Sequence, residues 1–155
     1  MVHIVDQFDI ELSTEEILKG QGVDPSRASK RLFEIAESVR EETHSLIKPA
    51  ALYTLVDITS FDYENKQIFF EGGSFEGKLI AKAAKGADQM YIALVTIGDE
   101  LEKRVDQLMQ DELVKAIALD GGGIAALSKA SSTVEDLISH DACAANLSLG
   151  MIAQP

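Results

Sequence analysis

The chain has 155 residues, of which 46% are hydrophobic and 26% charged, and its formal net charge is −12 at pH 7. This length and this share of apolar residues are typical of one globular domain with a hydrophobic core. The 26 acidic residues against 14 basic ones disfavour nucleic acid and anionic membrane surfaces as partners, because clustered Lys and Arg side chains recognise both.

A single cysteine, Cys143, predicts that the chain has no internal disulfide bond. The first twelve residues carry acids where a signal peptide would carry bases. No apolar run approaches the roughly 20 residues that a membrane-spanning helix needs. We therefore expect a cytoplasmic protein.

The first elements are predicted from local signals. Residues 2–5 (VHIV) favour a short edge strand, and Ser13 with Glu16 has the spacing of a capping box at the start of a helix. Gly20 is available as the left-handed residue that ends this helix. Asp24 followed by Pro25 is a second helix-start signal, and apolar residues then recur at steps of three and four up to Pro49.

The middle of the chain predicts a sheet. Residues 50–58 (AALYTLVDI) and 67–70 (QIFF) are rich in β-forming residues, and the polar residues 62–65 between them favour a hairpin. A short helix over residues 78–85 follows. Residues 90–95 (MYIALV) are apolar on both faces, which predicts a central strand.

Two helices are expected in the last third of the chain. Asp99 or Gly98 begins the first, whose apolar stripe is Leu101, Val105 and Leu108. The second opens at residue 111 or 112, and a seam at alternating steps of three and four is expected to face the core. The seam consists of Leu113, Ile117, Asp120, Ile124, Leu127, Ser131, Val134 and Ile138.

Asp120 is unusual on this seam, and Gly121, Gly122 and Gly123 follow it. A buried carboxylate needs a partner, and each glycine disfavours a helix by about 1 kcal/mol relative to alanine. Two explanations are open. Either the helix is continuous and the glycines allow a backbone or a flat ligand to approach, or it breaks and Asp120 caps a new, anion-binding start. Asp120, Gly121 and Gly122 are therefore the candidate cofactor-binding residues, although packing or capping is the more ordinary role.

The remaining reactive side chains predict neither a catalytic residue nor a metal site. His3, His44 and His140 are scattered along the chain and form no His-x-x-x-His pair. Cys143 has no activating base near it in sequence, which favours a small buried or half-buried thiol over a nucleophile.

Several segments together resemble the activation (reactivation) domain of vitamin B12-dependent methionine synthase, and especially its small stand-alone bacterial relatives. They are residues 47–51 (IKPAA), 75–82 (FEGKLIAK), 91–102 (YIALVTIGDELE) and 119–126 (LDGGGIAA). The resemblance spans nearly the whole chain, although each motif is short. It implies a single α+β domain over residues 1–155, with an antiparallel or mixed sheet packed against amphipathic helices.

The resemblance also implies a function. Such a domain assists corrinoid-dependent methyl transfer by docking on a corrinoid protein or methyltransferase, and it is not an enzyme alone. S-adenosylmethionine and the partner's cobalamin are the cofactors that the family implies. The family's S-adenosylmethionine segment would begin near residues 150–155, so we expect this chain to lack it. The alternatives are a domain that binds S-adenosylmethionine or a nucleotide, and a structural module that forms a homo-oligomer.

Overall fold

The structure is a computed structural model, and it describes residues 1–153. In these residues five strands and five α-helices confirm the predicted α+β class. In chain order the elements are β1 (Val2–Val5), α1 (Thr14–Gly20), a 3-10 helix (Pro25–Arg27), α2 (Lys30–Leu46), β2 (Ala50–Asp62), β3 (Gln67–Phe70), β4 (Gly73–Glu76), α3 (Lys78–Ala83), β5 (Gln89–Thr96), α4 (Glu100–Asp111) and α5 (Leu113–Ala144).

The strands form one sheet in which β1, β2, β3 and β4 are neighbours in that order, while β5 also pairs with β2. β3 is antiparallel to both of its neighbours. The predicted hairpin between β2 and β3 is confirmed, since Asp62 pairs with Gln67 and its carboxylate accepts a hydrogen bond from the backbone N–H of Asn65 at 3.0 Å. The Asp62 side chain closes the turn by accepting from a backbone N–H three residues later.

The strands differ from the prediction in two respects. β4 was not predicted, because its glycine-rich surroundings indicate a turn more strongly than a strand. The expectation that residues 90–95 form a central strand buried on both faces is wrong. In the described part of the chain β5 pairs with β2 alone, and Leu94 is 63% exposed.

The capping box at the start of α1 is confirmed. The Ser13 hydroxyl accepts a hydrogen bond from the Glu16 N–H at 3.2 Å, and the Ser13 N–H donates to the Glu16 carboxylate at 2.8 Å. The predicted role of Gly20 is wrong, because Gly20 is the last residue of α1 and Gly22 takes the left-handed conformation, with φ of 75°. Both glycines are suitable for the left-handed position by local sequence, so packing with the rest of the chain decides which of them takes it.

The helix predicted to start at Asp24 begins later. Asp24 caps the short 3-10 helix by accepting a hydrogen bond from the Ser26 N–H at 2.9 Å. α2 begins after Ser29, whose hydroxyl accepts from the Leu32 N–H at 3.3 Å. Both caps use the same physics, in which a side-chain oxygen satisfies an N–H that has no partner inside the helix.

The chain divides into two compact units. The sheet unit comprises Met1–Ile4, Leu52–Leu94 and residues 135–153, and the helical unit comprises Val5–Ala51 and Val95–Val134. The main hydrophobic core lies in the helical unit, where Ile17, Leu18 and Leu119 are fully buried. The single domain expected from the sequence stays a prediction. No helix within residues 1–153 is both long enough and apolar enough to cross a bilayer.

Candidate functional site

The glycine run lies inside one continuous helix, α5. Of the two explanations that the sequence left open, the continuous helix is therefore confirmed. A Cβ atom on Gly121 would lie 2.5 Å from the Gln21 Cγ and 2.8 Å from the carbonyl oxygen of Ile17. A Cβ atom on Gly20 would lie 2.0 Å from the carbonyl oxygen of Gly121. The two glycines thus let the backbones of α1 and α5 touch, which explains Gly20 better than a C-cap does.

The next two glycines contact other elements of the helical unit. A Cβ atom on Gly122 would lie 2.5 Å from the hydroxyl oxygen of Thr43, which is fully buried and donates to the carbonyl oxygen of Val39 at 2.8 Å. A Cβ atom on Gly123 would lie 2.8 Å from the Leu101 Cδ2. α5 therefore meets α1, α2 and α4 within a single turn.

The predicted direction of the apolar seam is wrong for its first half. Its large apolar side chains there are partly exposed to solvent: Leu113 at 54%, Ile117 at 45%, Ile124 at 51% and Leu127 at 39%. The face that enters the core consists mostly of small residues: Ala116, Ala118, Gly121, Gly122, Gly123, Ala125 and Ala126. Close helix crossings leave no room for large side chains. The large apolar residues in this half of the seam therefore lie on the face of α5 opposite the one that packs in the core.

We call Leu113, Ile117, Asp120, Ile124 and Leu127 the α5 ridge. Asp120 is exposed, so the burial penalty expected for a carboxylate on an inward seam does not arise. None of the ion pairs within residues 1–153 includes Asp120. Ligand binding by Asp120, Gly121 and Gly122 stays a prediction. Protein atoms occupy the space beside both glycines, so Asp120 is the most accessible of the three.

The two lysines nearest to Asp120 on α5 are engaged elsewhere in the helical unit. The Lys115 ammonium lies 3.4 Å from a carboxylate oxygen of Glu42, whose other oxygen accepts from Arg104 at 2.7 Å. The hydrogen bond from Arg104 lowers the pKa of Glu42, and the charge of Lys115 adds to the effect. The Lys129 ammonium lies 2.9 Å from Glu16. Both ammonium groups are therefore directed at acids of α2 and α1 and not at Asp120.

The sheet unit contains a polar cluster of its own. Tyr53 is 4% exposed, and its hydroxyl donates to the Asp141 carboxylate at 2.6 Å. The His3 ring stacks on the Tyr53 ring with centroids 4.7 Å apart and planes 4° apart. The His140 Nδ1 lies 3.6 Å from the other oxygen of Asp141. The sequence analysis missed this cluster, because His3, Tyr53 and Asp141 are far apart in the chain and no short motif links them.

The hydrogen bond between Tyr53 and Asp141 shifts the pKa values of both side chains. Accepting from Tyr53 lowers the pKa of Asp141, whereas donating to Asp141 raises the pKa of Tyr53 to about 12, with burial adding to the rise. A raised pKa means that the neutral phenol is favoured in the folded protein. The stability from Tyr53 is therefore fully present below its unfolded pKa of about 10 and is lost as the pH rises through the folded value.

We expect Tyr53→Phe to be less stable than the wild type at neutral pH, because Asp141 loses its donor. The difference in unfolding free energy should shrink as the pH rises from about 10 towards about 12, where the wild-type phenol ionises. Urea unfolding followed by circular dichroism across this range measures it. Tyr63→Phe is the matched control, since Tyr63 is 64% exposed. A stability gap for Tyr53→Phe that is independent of pH would contradict the hydrogen bond.

Other candidate chemistry is sparse in the chain as described up to residue 153. No three His, Cys, Asp or Glu side chains there are placed to hold a metal ion. Cys143 is exposed, so the expected burial of its thiol is wrong. An open groove in the helical unit is lined partly by Asp9 and Lys48, but Lys48 is already paired with Glu100. Comparison of the chain with protein-family models gives no match, and comparison with curated proteins gives none.

Proposed function

We propose that this protein is an accessory or reactivation domain for corrinoid-dependent methyl transfer in the cytoplasm. In this role it docks on a corrinoid protein or methyltransferase and does not itself break bonds. The sequence resemblance to the methionine synthase activation domain supports the proposal. So does the α+β class of the fold, which is the class that the resemblance implies.

The observation that carries the proposal is the exposure of the α5 ridge. Four large apolar side chains lie on one face of a helix whose glycine-bearing face is packed against α1, α2 and α4. Apolar surface at helical spacing is the kind of surface that proteins use to dock on partners. Residues 119–126 form one of the motifs that resemble the family, and they lie in the α5 helix. The segment that suggests the family therefore also contains the centre of the ridge.

Titration with a corrinoid protein loaded with cob(II)alamin tests the proposal. We expect a complex by size-exclusion chromatography and a change in the visible spectrum of the cofactor, because docking alters its surroundings. The double variant Ile117→Ser, Ile124→Ser should weaken the complex while the fold is retained, since both side chains are about half exposed. Neither a complex nor a spectral change with the wild type would contradict the proposal.

Calorimetry separates this function from the alternative of small-ligand binding. Docking through the ridge predicts no heat when S-adenosylmethionine or a nucleotide is added to the protein alone. Heat that disappears in Asp120→Asn would instead favour a ligand site at the glycine run.

A further inference from the structure

The α5 ridge has the spacing of a helix-pairing surface. Leu113, Ile117, Asp120, Ile124 and Leu127 follow one another at alternating steps of four and three residues. This is the interval at which one helix packs against another in a coiled coil. The ridge is about 21 Å long at 1.5 Å per residue, which is enough to contact about four turns of a partner helix.

Asp120 decides which partner such a surface accepts. It lies in the middle of the ridge, seven residues from each terminal leucine. A helix that covers the ridge removes water from this carboxylate, and an unpaired carboxylate in an apolar contact is strongly unfavourable. Lys115 and Lys129 cannot compensate, since they already pair with Glu42 and Glu16. The positive charge must therefore come from the partner.

A second copy of this chain does not meet this requirement. If two copies of the ridge paired in antiparallel fashion, with Leu113 opposite Leu127, the two Asp120 carboxylates would lie opposite each other. Like charges in a dry contact disfavour that arrangement. The net charge of −12 adds a long-range repulsion between copies and an attraction for a basic partner.

We propose that the α5 ridge binds an amphipathic helix of a partner protein, whose apolar stripe carries one Lys or Arg opposite Asp120. This inference adds the chemistry of the partner to the proposed function. It rests on the proposed function only for the identity of the partner protein. Apolar contacts with the leucines and isoleucines of the ridge stabilise the complex by burying apolar surface. The ion pair with Asp120 sets the register of the two helices and disfavours acidic or purely apolar partner helices.

Synthetic helical peptides test this chemistry directly. Three peptides of about 21 residues share one leucine stripe and differ only in its central residue, which is Lys, Leu or Glu. We expect the Lys peptide to bind the full chain at least about tenfold more tightly than the Glu peptide, as measured by fluorescence anisotropy. Asp120→Asn should remove this preference, and Asp120→Lys should invert it in favour of the Glu peptide.

Asp106→Asn is the matched control, because Asp106 is an exposed aspartate on α4 outside the ridge. It should leave the order of the three peptides unchanged. Equal affinity for the three peptides, or no binding of the Lys peptide at about 1 mM, would overturn the inference. So would a wild-type dimer that Ile117→Ser dissociates.

The two proposals fail in different ways. If the Lys peptide binds but the corrinoid protein forms no complex, the proposed function is wrong and the chemistry of the ridge stands. If the corrinoid protein binds and Asp120→Asn leaves its affinity unchanged, the proposed function stands and the inference about the partner helix is overturned.

Discussion

Replacing Gly20 with alanine is expected to lower the free energy of unfolding by about 2 kcal/mol. The added Cβ atom would lie 2.0 Å from the carbonyl oxygen of Gly121 and 2.8 Å from its carbonyl carbon. Overpacking of this kind costs about 3 kcal/mol, and the better helix propensity of alanine returns only about 1 kcal/mol. The steric cost exceeds the gain in helix propensity because the clashing atoms belong to the backbone, which cannot rotate away as a side chain can.

Urea unfolding and thermal melting measure this effect. A loss of about 2 kcal/mol corresponds to a fall of about 6 °C in Tm for a chain of this size. Gly150→Ala is the matched control, because no atom lies within 4 Å of a Cβ added there. Equal stability of the two variants would show that α1 and α5 do not cross in backbone contact.

The second large effect is expected at Leu119. It is fully buried in the core of the helical unit, and truncation of such a side chain to alanine leaves a cavity that costs about 3 kcal/mol. Ile117, two residues earlier on the same helix, is 45% exposed. Ile117→Ala should therefore change the free energy of unfolding by less than about 0.5 kcal/mol.

The contrast between these two variants measures which face of α5 enters the core. Both remove most of a large aliphatic side chain from a helical position, so differences in helix propensity are small. Guanidinium unfolding of both proteins at one pH gives the comparison. A larger loss for Ile117→Ala than for Leu119→Ala would contradict the orientation of the helix and place the ridge in the core.

Elements governed by near neighbours in sequence could be predicted. The capping box of Ser13 and Glu16 and the turn at Asp62 each involve residues three apart, and both are present. The stripe of α4 is also buried as expected, since Leu101, Val105 and Leu108 are 4–7% exposed. In these cases the local pattern and the tertiary packing favour the same conformation.

Features that depend on distant contacts could not be predicted. Gly20 fits a local rule for helix ends, but its structural role depends on Gly121, about a hundred residues later. The outward direction of Ile117 and Ile124 follows from close contacts of the glycines on the other side of the helix. Hydrophobic periodicity indicates that one face of α5 is apolar, but it does not show that a smaller-residue face packs more closely.

The three consecutive glycines also fix the longitudinal register of α5. Successive helical residues point about 100° apart, so Gly121, Gly122 and Gly123 face α1, α2 and α4 in turn. A slip of the helix by one residue would bring Asp120 or Ile124 into a position where even a methyl group lacks room. Competing alignments of this 32-residue helix are thereby excluded sterically, in addition to the ion pairs that Lys115 and Lys129 make with α2 and α1.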